Sequence, residues 1–344
     1  TQAMLEGLDV VLFDLQDVGV RVYTFAWTLA LTMEACAEAG VRLVVLDRPN
    51  PVGGRIREGP VLRPGFESFV GLHPVPLRHG LTMGELARWL KVVRGIGCDL
   101  EVVPMEGWHR DMTWEATGLP FVPPSPNLPT PDSCAVYPGM VLVEGTNLSE
   151  GRGTTRPFEL VGAPFLDPYA LAEGVAGALA GSDGEGDSRD AAAGEPSSGP
   201  GSYRIPGTSL IPGTSPIPGA RPIPGARPIP GARLRPCWFE PTFQKHAGEL
   251  CGGVQIHVTD RSVFRPVRTA VALFRACKDL APDHFRWRPP PYEYEERLMP
   301  VDILFGHGGL REGIDGGASV EEILAGTEEE CRAFTEETRD VLLY

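Results

Sequence analysis

The sequence predicts an α/β protein built around a parallel sheet. DVVLFDL (9–15) is a short apolar run with acidic ends, and RLVVLD (42–47) reads as a second buried strand. Between them, residues 24–39 place apolar side chains at helical spacing and run into Gly40, where a helix C-terminal glycine belongs. Strand, helix and strand in that order predict parallel pairing with a right-handed crossover. In such sheets ligands gather at the C-terminal strand ends, which here carry Asp14, Gln16, Asp17, Asp47, Arg48 and Asn50.

Further elements follow in order. TMGELARWLKVV (82–93) reads as a helix opened by Thr82, with Glu85 three residues on completing a capping box. DLEVVPM (99–105) is a third strand. After the proline-rich loop 121–131, Thr130 before Pro131 reads as an N-cap with proline at the first helical position, so a short helix runs toward Glu144. Asp167 to Ala180 is a further helix. At 181 the composition turns rich in Gly, Ser, Asp, Glu and Ala, and Ile-Pro-Gly then recurs at 205, 211, 217, 223 and 229, ending in PIPGAR copies. Proline removes backbone donors and glycine weakens local order, so 181–235 is expected to be a disordered or polyproline-like insert between a 1–180 unit and a 236–344 unit. Beyond it, GGVQIHVTD (252–260) reads as a strand and PVRTAVALFRACKDL (266–280) as a helix. VDILFG (301–306) is a short element, and 327–344 is a C-terminal helix with acidic residues in its first turn.

The 344 residues allow two or three domains, and a hydrophobic fraction of 42% supports a sizeable core. A net charge of −14 argues against nucleic acid and against an anionic membrane surface. The apolar runs are too short to span a bilayer. Seven cysteines, an odd number with no CxxC pair, argue against a disulfide framework or a zinc ribbon. The chain opens at Thr1 without a signal pattern and reaches a strand by residue 9, so it is expected to begin inside a domain.

EGTNLSEGRGTT (144–155) concentrates the polar chemistry. Its glycines miss the phosphate-loop spacing, and position 156 is arginine where the dinucleotide pattern needs glycine, so a nucleotide-dependent enzyme is disfavoured. Loops at strand ends also carry Asp14, Asp17, Asp47, Glu58, Glu144 and Glu150. Glycoside hydrolysis asks for two carboxyls, while the competing reading has these acids capping helices or pairing with Arg21, Arg48 and Arg152. His79, just before a helix, can be a base, a substrate donor or a loop anchor. The absence of HxH and HExxH patterns argues against a metal site. No G-x-S-x-G elbow occurs, and Ser125 and Ser149 have no visible histidine partner. Tyr23, Trp27, Trp108, Trp114, Phe121, Tyr137 and Trp238 either line a pocket for sugar faces or pack in the core.

Taken together, FDLQDVGVRVYTF (13–25), VLDRPNPVGG (45–54), EGP (58–60), SFVG (68–71), PLRHGLTMGEL (76–86), VVPMEGWHR (102–110), TGLPFVPPSPNLPT (117–130), VYPGMVLVEGTNLSEGRGTTRPFELVGAP (136–164), FEPTFQKHAGELCGGVQIHVTDR (239–261) and the final VLLY resemble the exo-β-N-acetylmuramidase (NamZ-like) family. The resemblance implies a Rossmann-like domain joined to a smaller C-terminal α/β domain, with the active site in the cleft between them. It implies release of N-acetylmuramic acid from the non-reducing ends of peptidoglycan fragments, with no metal or organic cofactor, by a secreted or periplasmic protein.

On this resemblance the catalytic candidates are Glu144 and Glu150, with Asp17 third. Arg21, Tyr23, Asp47, Arg48, Asn50, His79, Ser125, Asn127, Asn147 and Arg152 would bind hydroxyls, the acetamido group or the lactyl carboxylate. The substrate's own 2-acetamido group is a further candidate nucleophile. The family begins well upstream with more strands and a Glu-His-Gly segment that is a candidate source of a catalytic glutamate; no Glu-His-Gly occurs here. The expectation is therefore an N-terminally truncated chain whose sheet exposes an unpaired edge. The alternative function is an inactive muropeptide-binding or structural remnant.

Overall fold

The computed structural model describes residues 2–181 and 225–344. The Gly/Ser-rich stretch and the earlier Ile-Pro-Gly copies lie outside the described residues. In chain order the elements are α1 (Gln2–Leu5), β1 (Val10–Phe13), α2 (Phe25–Ala39), β2 (Arg42–Leu46), β3 (Glu58–Val61), β4 (Pro76–Arg78), α3 (Met83–Val92), β5 (Leu100–Val103), α4 (Pro131–Met140), β6 (Leu160–Ala163), α5 (Pro168–Ala180), β7 (Arg227–Ile229), β8 (Ala232–Phe239), β9 (Cys251–Val258), α6 (Pro266–Leu280), α7 (Pro300–Phe305), α8 (Gly309–Gly316), α9 (Val320–Leu324) and α10 (Thr327–Glu337).

The first sheet is parallel in the order β1-β2-β5, as the strand–helix–strand pattern predicts. Apolar faces of α2 and α3 cover one side of it through Trp27, Met33, Leu86 and Trp89 against Phe13, Leu43 and Val45. The start and stop signals act as read. Gly40 ends α2 at φ 68°. Thr82 and Glu85 exchange both capping-box hydrogen bonds at the start of α3, and Thr130 caps α4 ahead of Pro131. On the far side of the sheet Val10, Leu12 and Val103 are exposed, and among the described residues β1 pairs only with β2.

A second, antiparallel sheet runs β6-β9-β8-β7 and forms the larger core with α4, α5 and α6. β6 and α5, which fall within 1–180, pair with and pack on this sheet. Residues 225–235 also differ from the insert expected there. The last repeat copy folds: Ile229 closes β7 and is buried, Pro230 and Gly231 make the turn, and Ala232 opens β8. Proline is tolerated because β7 is the edge strand and needs fewer ladder donors. The C-terminal helix stops at Glu337, and a 3-10 turn at Arg339–Val341 leads Tyr344 back to the first sheet. β3 and β4 form a separate antiparallel pair against which α10 packs. The seven cysteines are all free.

Candidate active site

A short 3-10 helix, Val141–Gly145, continues α4 and delivers Glu144. The loop after it returns along β6, with Ser149 and Gly162 exchanging backbone hydrogen bonds at 2.8 and 3.1 Å. Within this loop Gly151 and Gly153 take φ +76° and +81°. A Cβ on Gly153 would stand 2.7 Å from the Phe243 amide nitrogen, so only glycine lets the two loops close. Arg152 is held between these glycines with its guanidinium over the Phe158 ring, 5.2 Å from the centroid.

Arg152 joins the two glutamates. Its Nη2 donates to Glu144 Oε1 at 2.6 Å, and its Nε lies 3.2 Å from Glu150 Oε1. The other Glu150 oxygen is 2.8 Å from Lys245 Nζ, which donates to the carbonyls of Val143 and Thr146. Tyr292 donates its hydroxyl to Glu144 Oε2 at 2.8 Å. Two carboxylates thus meet two cations, the condition for keeping such charges out of water. Burial, then the charge of Glu144, push the Tyr292 phenol well above its ordinary pKa, so it remains a donor. Burial lowers the Lys245 ammonium, and Glu150 opposes that shift.

These groups form the floor of an open cleft of about 930 Å³. Its other wall, residues 286–294, is laced to the floor through the backbone. Asn147 donates N–H to Arg286 O at 3.0 Å and accepts from Arg286 N at Oδ1 at 2.9 Å, and Arg288 N donates to Gly145 O at 2.8 Å. Trp287, Arg288, Tyr292 and Tyr294 line that wall. The glutamates differ in access. The Glu144 side chain keeps 14% exposure toward the cleft, whereas Glu150 keeps 3% with both oxygens in ion pairs.

Of the residues singled out in the sequence, the structure brings Glu144, Asn147, Glu150 and Arg152 together. Asn147 is used structurally, since its side chain also donates to His284 O. The others stand elsewhere. Arg21 is fully buried and donates to the carbonyls of Pro60, Val75 and Leu304, and burial lowers its pKa to about 9. Asp47 accepts from Thr82, Gly84, Arg48 and Tyr344, anchoring α3 and the C-terminus. Asn50 bridges Leu81 O and Val52 N. Arg48 pairs with Asp14 on the surface at 2.6 Å. Ser125 accepts from the Asn127 amide within its own loop.

Asp17 and His79 form a separate buried pair, with Nε2 3.7 Å from Oδ2. Leu81 N donates to His79 Nδ1 and Gly19 N to Asp17 Oδ2, which places the imidazole proton on Nε2, facing the carboxylate. Tyr23 donates to Pro124 O, and its ring meets Tyr137, which in turn packs on Phe158 beneath Arg152. Asp17 is not among the residues that line the cleft. Lys245, Trp287, Arg288, Tyr292 and Tyr294 are not singled out by the sequence; the available signal is the proline- and aromatic-rich run RPPPYEYEER, ahead of α7. Among the described residues, no group of three or more His, Cys, Asp or Glu could hold a metal ion, and no helix is long and apolar enough to cross a membrane.

The similarities to known proteins follow the same division. Residues 1–132 match the family model described as exo-β-N-acetylmuramidase NamZ, N-terminal, and residues 135–183 and 224–344 match its C-terminal counterpart. The chain is 40% identical over 344 residues to the peptidoglycan β-N-acetylmuramidase NamZ of Bacillus subtilis, covering all of this chain and 69% of that protein. Two crystal structures of DUF1343-family proteins from Bacteroides fragilis are similar over the whole chain. One has a TM-score of 0.77 at 28% identity, and the other 0.67 at 25%. The chain covers 77% and 78% of those proteins. Every residue lining the cleft falls in the C-terminal match.

Proposed function

We propose that this chain, which belongs to the exo-β-N-acetylmuramidase NamZ family and is a glycoside hydrolase, uses the Glu144 cleft to release N-acetylmuramic acid from the non-reducing ends of peptidoglycan fragments. The observation that carries the reading is the state of Glu144. It is the more open of two carboxylates on one guanidinium, and Arg152 and Tyr292 both donate to it.

Arg152 and Tyr292 donate to opposite oxygens of Glu144 and so fix the carboxylate in one orientation. Glu144 is therefore suited to face the positive charge that develops at the anomeric carbon, or to orient an attacking water or the substrate's acetamido N–H. In hydrolysis the bond from the anomeric carbon to the leaving oxygen breaks, water supplies the new oxygen, and the leaving oxygen takes a proton. Glu150 is a positioning residue: it fixes Arg152 and Lys245. The rings of Trp287 and Tyr294 offer apolar surface to a sugar face.

The test is to incubate the protein with a chromogenic N-acetylmuramic acid β-glycoside and with reduced muropeptides. Release of free N-acetylmuramic acid, lost in Glu144→Gln, is expected. No release from either substrate overturns the hydrolase assignment for this cleft, and a folded Glu144→Gln protein with full activity removes Glu144 from the chemistry.

A further inference from the structure

We propose that Arg288 is the specificity-determining residue of the cleft and receives the lactyl carboxylate that distinguishes N-acetylmuramic acid from N-acetylglucosamine; the inference rests on the muramidase reading above. Four strong cations line the cleft, and three are engaged. Arg152 is held by Glu144 and Glu150. Lys245 is held by Glu150 and two carbonyls. Arg286 turns its guanidinium back onto the carbonyls of Pro282, Asp283 and Phe285. Arg288 differs. Among the described residues its guanidinium has no hydrogen bond and no ion pair, only the Tyr292 ring, 5.4 Å from the centroid.

That placement is fixed at both ends. The Arg288 backbone N–H is tied to Gly145 O, next to Glu144, and Tyr292 is tied to Glu144 through its hydroxyl. Stacking on an aromatic face orients the planar fork while leaving its donors open, which suits a carboxylate. One ring therefore separates the free guanidinium from the carboxylate assigned to the anomeric centre. In muramic acid the lactyl ether sits on C3, two ring carbons from C1, so a sugar bound with C1 at Glu144 can direct its carboxylate toward Arg288. The acetamido group on C2 lies between them. N-Acetylglucosamine has a hydroxyl at C3 and gains nothing from the cation.

The experiment is a calorimetric or NMR titration with free N-acetylmuramic acid and free N-acetylglucosamine, on wild type, Arg288→Gln and Arg288→Lys, each checked for an unchanged melting temperature. Wild type is expected to prefer the muramic acid on the order of tenfold, the increment of one charge-assisted pair. Arg288→Gln should lose that preference, and Arg288→Lys should keep part of it, because the charge remains and the fork does not. A preference undiminished in Arg288→Gln, or equal binding of both sugars by wild type, overturns the proposal. Glycoside hydrolysis is assayed in parallel. An Arg288-dependent preference without turnover counts against the hydrolase reading alone.

Discussion

The hydroxyl of Tyr292 donates to Glu144 at 2.8 Å across 148 residues of chain. The contact joins the 3-10 helix after α4 to the loop before α7, two segments with no shared sequence signal. Together with Arg152 it leaves Glu144 no free choice of rotamer. The carboxylate that the cleft presents is thus set by distant parts of the chain.

Tyr292→Phe removes that hydroxyl and keeps the ring under Arg288. One charge-assisted hydrogen bond to Glu144 is lost, so kcat/KM on the chromogenic muramide should fall about 10- to 100-fold. The melting temperature should change little, because the ring packing is retained. Unchanged kcat/KM would show that the bond does not position Glu144 for the reaction.

Lys245→Met tests whether Glu150 depends on its second cation. Glu150 is buried and would keep only Arg152. Breaking one side of such a pair destabilises by roughly 3 kcal/mol or more. Adding Glu150→Gln should recover part of the loss, giving a non-additive double-mutant cycle by chemical denaturation. Strictly additive losses would mean that the 2.8 Å contact carries no coupling.

Arg21 separates a structural from a substrate role. Arg21→Met leaves the carbonyls of Pro60, Val75 and Leu304 without their donor in a closed core. The expected loss is roughly 3 kcal/mol or more of stability, as each buried acceptor left unpaired costs about 1–3 kcal/mol. Activity per folded molecule, measured well below the melting temperature, should stay near wild type. A KM defect without a stability loss would return Arg21 to the substrate.

Local chemistry makes part of this molecule legible in its amino-acid order alone. Gly40, the Thr82–Glu85 box and Thr130–Pro131 are start and stop signals whose partners lie within a few residues, and each acts as read. The Glu144–Glu150–Arg152 cluster is legible for the same reason, since all three lie close together in sequence on the 3-10 helix and the loop that follows it. Long-range facts are hidden. Nothing near Arg21 signals that Leu304 will cover it, and nothing near Tyr292 signals Glu144. The final PIPGAR copy has the same local sequence as the copy before it. It folds because Ile229 finds the core beside β8 and β9, a tertiary effect that a repeat period cannot express.

Glu58 gives the protein a stability that depends on pH. From β3 its Oε1 accepts from Arg268 N at 2.8 Å at the start of α6, a helix whose own N-cap residue supplies no side-chain bond. Oε2 is buried without a partner. Burial pushes the carboxyl pKa up to about 7, against the opposing pull of the helix N–H groups and of Arg78 and Arg265. In the unfolded chain the same group titrates near 4.3. A folded pKa above the unfolded one means that the folded state holds the proton longer, so the contribution is full below about pH 4.3 and fades as pH rises toward 7. Glu58→Gln keeps the acceptor for α6 and removes the titration. Its melting temperature relative to wild type should climb as pH rises through that window and level off above 7. Calorimetric scans from acidic to mildly alkaline buffer check this, and parallel curves for the two proteins would remove Glu58 as the source of the slope.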